Sequence, residues 1–456
     1  MKTKREHLEA FLTSIREQNA VNGAFLIADQ GEVLLKQTIG LADFRNGRML
    51  TVDSVFELAS LSKPITALGI VLLWQSGKVE LDDLVTAWIS NFPYSDITIR
   101  HLLGHTSGLP DYMELFSEHW DRSIIATNQD VLNMLIRYKP ELLFPSNTGW
   151  MYSNTGYVIL ALLIERISGQ TFAGFLKDQL FVPLGMNQTR VYNRRSEEEE
   201  IPDYAYGFVY SFDEAAFVLP DTLKELDYVR YLDGIQGDGT VNSTLNDLLK
   251  LDQALYRDDF LDVSLREELF TPVLMNSDQP FEYGLGWIIE RKEGIGRVVS
   301  HNGGWPGYAT IMKRYIDQDM TLIVLLNTEK DLQYNQQVVD AMEHILCGED
   351  YEIPLPSAER IIAKVDSSVY KRYAGRYRFN NELAGQVIFA DVVVEDDRLY
   401  MRLNNGMPLA MYPLNDTRFF FREDLAEVEF VGEENGRVQY LYFGSNDEME
   451  RADRET

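Results

Sequence analysis

The 456-residue sequence predicts an α/β fold. One antiparallel sheet is flanked by helices, with a mostly helical lobe beside it and a small antiparallel β-barrel at the C-terminal end. Three observations predict this. Apolar strand patterns stand near both ends of residues 1–350, with helical periodicity between them. A boundary falls at Ile353-Pro354-Leu355-Pro356. Beyond it come short alternating segments separated by turn residues, the signal of a small barrel.

Residues 1–18 carry Leu8, Phe11, Leu12 and Ile15 at helical spacing, which predicts an amphipathic helix. Residues 23–28 and 32–36 read as a hairpin turning at Asp29-Gln30-Gly31. A further helix opens at Ser60-Leu61-Ser62-Lys63-Pro64, since proline is tolerated in a first turn where its missing N–H costs nothing. Its buried stripe is Ile65, Leu68 and Leu72, with Val71 and Leu73 on the flank, and Ser76-Gly77 ends it. Tyr157, Val158, Leu160, Leu163, Ile164 and Ile167 predict another helix directly after Tyr152-Ser153-Asn154. Residues 193–233 lose periodicity and read as an insertion, partly strand-like at 206–210, with a lid overhanging the site and plain surface decoration as the two readings. Strand-like residues 296–300 and 309–312 bracket His301-Asn302-Gly303-Gly304; 320–327 is a buried strand and 336–346 a helix. Barrel strands are expected at 386–389, 391–394, 399–403 and 438–443. The expected division is 1–350, a linker at 351–365 and a barrel unit at 366–456.

Acidic residues number 71 against 42 basic ones, a net charge of −29, which argues against nucleic acid or an anionic membrane as partner. Cys347 is the single cysteine, so no disulfide forms within the chain. No signal-peptide pattern and no apolar run long enough for a membrane span occur. The expectation is a cytoplasmic protein with a small-molecule substrate, compatible with a homo-oligomer.

Ser60 and Lys63 are three apart, a spacing that puts a hydroxyl and an amine on one helical face. A serine hydroxyl needs a base in reach, and a free lysine, with a pKa of about 10.4, needs burial or positive surroundings to act as one. A serine at a helix start also has N–H groups and a dipole that favour an oxyanion. A conventional Ser-His-Asp site is disfavoured because no G-x-S-x-G elbow occurs. His101 and His105 lack the H-E-x-x-H context of a zinc site, so no metal is expected.

Ser60-Leu61-Ser62-Lys63, then Tyr152-Ser153-Asn154, then His301-Asn302-Gly303 on a strand resembles the motif order of the penicillin-recognising serine hydrolases. Tyr-x-Asn in second place resembles the branch of class C β-lactamases, D-aminopeptidases and related family VIII-type esterases. Residues 97–110, Phe181-Val182-Pro183-Leu184-Gly185-Met186 and 237–249 are similar to further signatures of that family. The resemblance covers about residues 20–345 and implies a β-lactamase-like fold. Tyr373-Ala374-Gly375-Arg376-Tyr377 resembles the opening of a lipocalin-like C-terminal domain attached to some of these hydrolases.

The resemblance implies that Ser60 forms an acyl-enzyme with Lys63 and Tyr152 as general base, and that Asn154 hydrogen-bonds Lys63 and the substrate. It implies an oxyanion hole from the backbone N–H groups of Ser60 and Gly304, no cofactor, and deacylation by water with Tyr152 activating and His301 assisting. His301 departs from the lysine many relatives carry. A histidine, with a pKa of about 6.5, is mostly neutral at pH 7 and attracts an anionic β-lactam less. Tyr112, Trp150, Gly303, Trp305 and Tyr308 are the expected substrate-binding residues, as ligand sites are apolar with a few polar anchors. The expected activity is hydrolysis of carboxylic esters, or of amide and D-amino-acid peptide bonds, with weak or no β-lactamase activity. A true class C-type β-lactamase and a non-turnover penicillin-binding sensor are the alternatives.

Overall fold

Alternation along one strand decides the layers of the larger unit. In the strand Gly23–Asp29, Phe25 and Ile27 face one helical layer and Ala24, Leu26 and Ala28 face the other, so the whole run is apolar. The computed structural model describes residues 3–277, 280–357, 360–383, 386–404, 406–422, 426–445 and 448–455. In it, Gly23–Asp29 lies inside a six-stranded antiparallel sheet. The order is Ile288–Lys292, Gly296–Trp305, Tyr308–Tyr315, Met320–Leu326, Gly23–Asp29, Glu32–Ile39. On one face pack the helices Lys4–Gln18, through Leu8, Phe11, Leu12 and Ile15, and Leu332–Cys347, through Val338, Met342 and Ile345. Thr3 and Glu6 form a reciprocal capping box that starts the first of these.

The other face carries the helical lobe. Its central helix, Lys63–Gln75, is buried on all sides from Lys63 to Val71, whereas the sequence predicts a one-sided stripe; Leu72 is only partly covered. The helix Asn154–Ser168 packs against it, with Ile164 lying over Gly69. No single helix is long and apolar enough to cross a membrane.

Residues 193–233 join the two parts of the molecule. The short strand Phe208–Ser211 pairs with Ala216–Val218 and, in parallel, with Thr328–Glu329. Phe212 then lays its ring 5.1 Å from both Tyr412 and Phe420 of the barrel. Arg398 bridges to Asp213 and Glu225, and the Tyr412 hydroxyl donates to Glu225 at 3.0 Å. The barrel is a closed ring of eight antiparallel strands from Gly375–Leu383 to Glu448–Arg454. Tyr377, Phe419, Phe421 and Phe430 pack in its core. The two segments expected at 386–389 and 391–394 are one strand, Gln386–Glu395.

Candidate active site

The nucleophile candidate stands on a strained, pinned turn. Ala59 has φ 49°, a left-handed conformation that a residue with a Cβ adopts at a cost. Ser60 follows in the 3₁₀ segment Ala59–Ser62 and not in the first turn of the α-helix that the sequence predicts. The Ser60–Lys63 pairing survives because residues three apart are eclipsed in a 3₁₀ turn. Leu58 C=O accepts from Leu61 N–H at 3.1 Å and from Thr310 Oγ1 at 2.7 Å, and Ser62 Oγ accepts from Val241 N–H at 3.1 Å. Gly303 permits this close packing: a Cβ there would lie 2.1 Å from Leu58 O and 2.9 Å from Leu61 N. Gly303 therefore seats the Ser60 turn on the sheet.

Lys63 is fully buried, with Nζ 3.0 Å from Ser60 Oγ and 2.9 Å from the carbonyl of Asp238. The centroid of the Tyr152 ring lies 4.8 Å from Lys63 Nζ, and the Tyr152 hydroxyl makes no hydrogen bond among the described residues. Asn154 departs from expectation: its amide nitrogen donates to Asp111 at 2.8 Å, and the hydrogen bonds of Lys63 go to Ser60 and Asp238 instead. Asp111 and Asp238 draw the polar groups inward. Desolvation raises both carboxyls above the usual range; Lys63 and the hydrogen bond from Tyr112, 3.0 Å from Asp238, pull the latter back in part.

Behind Tyr152 runs a relay of neutral groups whose tautomers follow from the chain of donors. Ser153 N–H donates to His105 Nδ1 at 3.1 Å, which leaves His105 Nε2–H to donate to Tyr283 Oη at 3.1 Å. The Tyr283 hydroxyl then donates to His301 Nε2 at 3.1 Å, and His301 Nδ1–H donates to its neighbour's carbonyl, Asn302 O, at 2.6 Å. Desolvation first, then the Lys63 charge, pushes His301 down to about 3 and His105 well below its ordinary value. With both ring nitrogens engaged and 1 % exposure, His301 is a buried positioning residue, correcting its expected part in water activation.

The Ser60 hydroxyl opens into a cavity of about 390 Å³ whose wall includes Tyr112, Asn154, Asp238, Gly304 and Trp305. Tyr112 and Trp305, both expected in substrate binding, stand in this wall. Gly304 meets no other atom within 4 Å of a notional Cβ, so the approach over it is open. Trp150 and Tyr308 are not in the wall. Trp150 stacks on Phe281 with ring centroids 4.0 Å apart, and buried Tyr308 donates to the carbonyl of Ala205 at 2.8 Å. Neither residue is placed where it was expected: Trp150 has taken a half-buried ring as its partner and Tyr308 a buried backbone carbonyl.

The beta-lactamase family model matches residues 6–345, about three quarters of the chain. The chain belongs to the beta-lactamase family. It is 47 % identical over 446 residues to penicillin-binding protein 4* of Bacillus subtilis strain 168, covering 98 % of both. It is 32 % identical over 206 residues to esterase EstB of Burkholderia gladioli, covering 42 % of this chain and 52 % of that protein. Among solved structures it is similar to the D-amino acid amidase of Ochrobactrum anthropi complexed with D-phenylalanine, with TM-score 0.60, 25 % identity, and coverage of 74 % and 99 %.

Four functional-site residues of this beta-lactamase-family chain escape motif reading. Asp111 and Asp238 lie beside or inside segments the sequence marks, at Pro110-Asp111-Tyr112 and Gly237-Asp238-Gly239, and the motif positions were their only signal. Glu57 precedes the serine motif on a strand and carries none. Met407, in the barrel between Arg398–Leu403 and Leu409–Pro413, reaches the cavity wall from the other end of the chain.

Proposed function

We propose that this chain is a serine hydrolase that works through an acyl-enzyme on Ser60. Its substrates are carboxylic esters, or amide and D-amino-acid peptide bonds, and β-lactam turnover is weak or absent. The observation that carries the reading is Lys63 Nζ at 3.0 Å from Ser60 Oγ at the edge of an open cavity. Lys63 and Tyr152 take the Ser60 proton as Oγ bonds the substrate carbonyl, and the N–H groups of Ser60 and Gly304 hold the resulting oxyanion. Collapse breaks the bond to the leaving group, which receives the proton. Water then attacks the ester to Ser60, with Tyr152 as its activator, and releases the acid. Asn154, fixed by Asp111, orients the substrate. Residues 1–350 perform this chemistry, 351–365 link, and 366–456 form the lipocalin-like barrel unit. Neutral, buried His301 supports weak β-lactam handling, because no permanent cation stands at that motif position to hold a carboxylate.

A panel of p-nitrophenyl esters, D- and L-aminoacyl anilides and a chromogenic cephalosporin tests this. Ser60→Ala, Lys63→Ala and Tyr152→Phe each lower the ester or anilide rate by at least about 100-fold. Equal or better kcat/KM on penicillins or cephalosporins overturns the substrate assignment. The second reading, a penicillin-binding sensor, has the 47 % identity to a penicillin-binding protein in its favour. Mass spectrometry separates the two: a persistent penicillin adduct on Ser60 without ester hydrolysis favours the sensor, and a fluorophosphonate adduct with at most transient penicillin labelling favours the hydrolase.

A further inference from the structure

Glu57 is a cavity carboxylate that acyl transfer leaves unused. It sits three residues before Ser60 on the short strand Phe56–Glu57, lines the same cavity, and is only 8 % exposed. Among the described residues its carboxylate makes no hydrogen bond and no ion pair, the backbone alone pairing with Asn242. The cations in its field are already matched: Arg194 pairs with Asp221 at 2.6 Å, and Arg195 with Asp221 at 2.6 Å and Asp233 at 3.2 Å. Two guanidiniums against two carboxylates leave the Glu57 charge in excess. The neighbouring phenols offer it nothing, since Tyr308 donates to Ala205 O and lies 3.2 Å from the Tyr204 hydroxyl. Lys63 is committed to Ser60 and the Asp238 carbonyl. A desolvated carboxylate without a partner is costly, and a cation brought by a ligand removes that cost. The same cavity has an apolar flank at Leu232, Ile235, Trp305 and Met407.

We infer that Glu57 anchors a protonated amine carried by the acyl half of the substrate, so that favoured substrates are amides, esters or short peptides whose acyl group bears a free ammonium and an apolar side chain. The acyl half is the part that stays bound while the leaving group departs through the mouth, and a buried anchor suits the part that stays. The inference rests on the hydrolase reading above and names its substrate class.

The test compares kcat/KM of the full chain for phenylalanine p-nitroanilide, as each enantiomer, with 3-phenylpropionic acid p-nitroanilide, which has the same leaving group and lacks the amine. The intact protein prefers the better amino enantiomer by at least about 10-fold, and Glu57→Gln lowers that preference by roughly 10- to 100-fold, mainly through KM. Damage to the fold slows both probes and leaves the ratio unchanged, so an unchanged ratio overturns the anchor, as does no preference in the intact protein. Loss of turnover of both probes in Ser60→Ala shows that the ratio reads this site, and its persistence refutes the hydrolase reading itself. Should Glu57→Gln fail to fold, competitive inhibition of ester hydrolysis in the intact protein decides. Benzylamine inhibits at a concentration at least about 10-fold below that of benzyl alcohol, and equal inhibition overturns the proposal.

Discussion

Replacing Gly303 by alanine tests whether the strand after the third motif seats the nucleophile. The added Cβ would lie 2.1 Å from Leu58 O, 2.5 Å from Thr310 Oγ1 and 2.9 Å from Leu61 N. The first of these is more than about 1 Å inside van der Waals contact. Two of the three are backbone atoms of the turn that carries Ser60, and Leu58 O is the acceptor that ties this turn to Thr310. A methyl group cannot enter without driving turn and strand apart by about that distance, because neither neighbour is a flexible side-chain end. Overpacking of this kind costs about 1–3 kcal/mol of stability, and a misplacement of about 1 Å at a reacting group costs about 100-fold in rate. Gly303→Ala is therefore expected to lower the unfolding midpoint in urea and to lower kcat on a p-nitrophenyl ester by about 100-fold. Gly304→Ala is the comparison for stability: its Cβ meets nothing within 4 Å, and the midpoint shifts by less than about 0.5 kcal/mol. A Gly303→Ala protein with its kcat within about 3-fold and an unshifted midpoint would refute the reasoning.

Asp252→Ala strands the guanidinium of Arg314, 1 % exposed beneath the sheet, and removes the acceptor of Thr321 Oγ1 at 2.7 Å; stability falls by about 3–5 kcal/mol in urea titration. Glu57 sets a pH dependence of stability. Desolvation, opposed by Arg195 and Arg194 and reinforced by Asp233 and Asp221, raises its carboxyl from 4.5 to about 7 in the folded state. The folded protein then binds more protons than the unfolded one between these values, so this group lowers stability as pH rises from about 4.5 to about 7. Glu57→Gln removes that decline and gains on the order of 3 kcal/mol at pH 8 relative to the parent, read from paired unfolding curves at pH 4 and pH 8. Met407→Ala widens the cavity from the barrel side and lowers kcat/KM for p-nitrophenyl octanoate relative to the acetate by roughly 10-fold; an unaltered ratio would show that the barrel does not shape the acyl pocket.

What depends on neighbours along the chain could be read from the residues alone. The strand Gly23–Asp29, the helices Lys4–Gln18 and Asn154–Ser168 and the Ser60–Lys63 pairing were legible, because apolar periodicity and a spacing of three residues are local. What those residues touch was set by packing between distant segments. Asn154 turned to Asp111, Trp150 to Phe281 and Tyr308 to Ala205, because a polar or aromatic side chain takes the partner that packing supplies and the motif spacing does not specify it. His301 went from a candidate helper to a neutral member of a buried relay for the same reason: its environment is built by Tyr283 and His105 from other segments. The reach of Met407 to the cavity wall and the packing of Phe212 on the barrel arise from contacts between distant parts of the chain, where hydrophobic burial selects partners by shape and leaves no periodic trace in either segment.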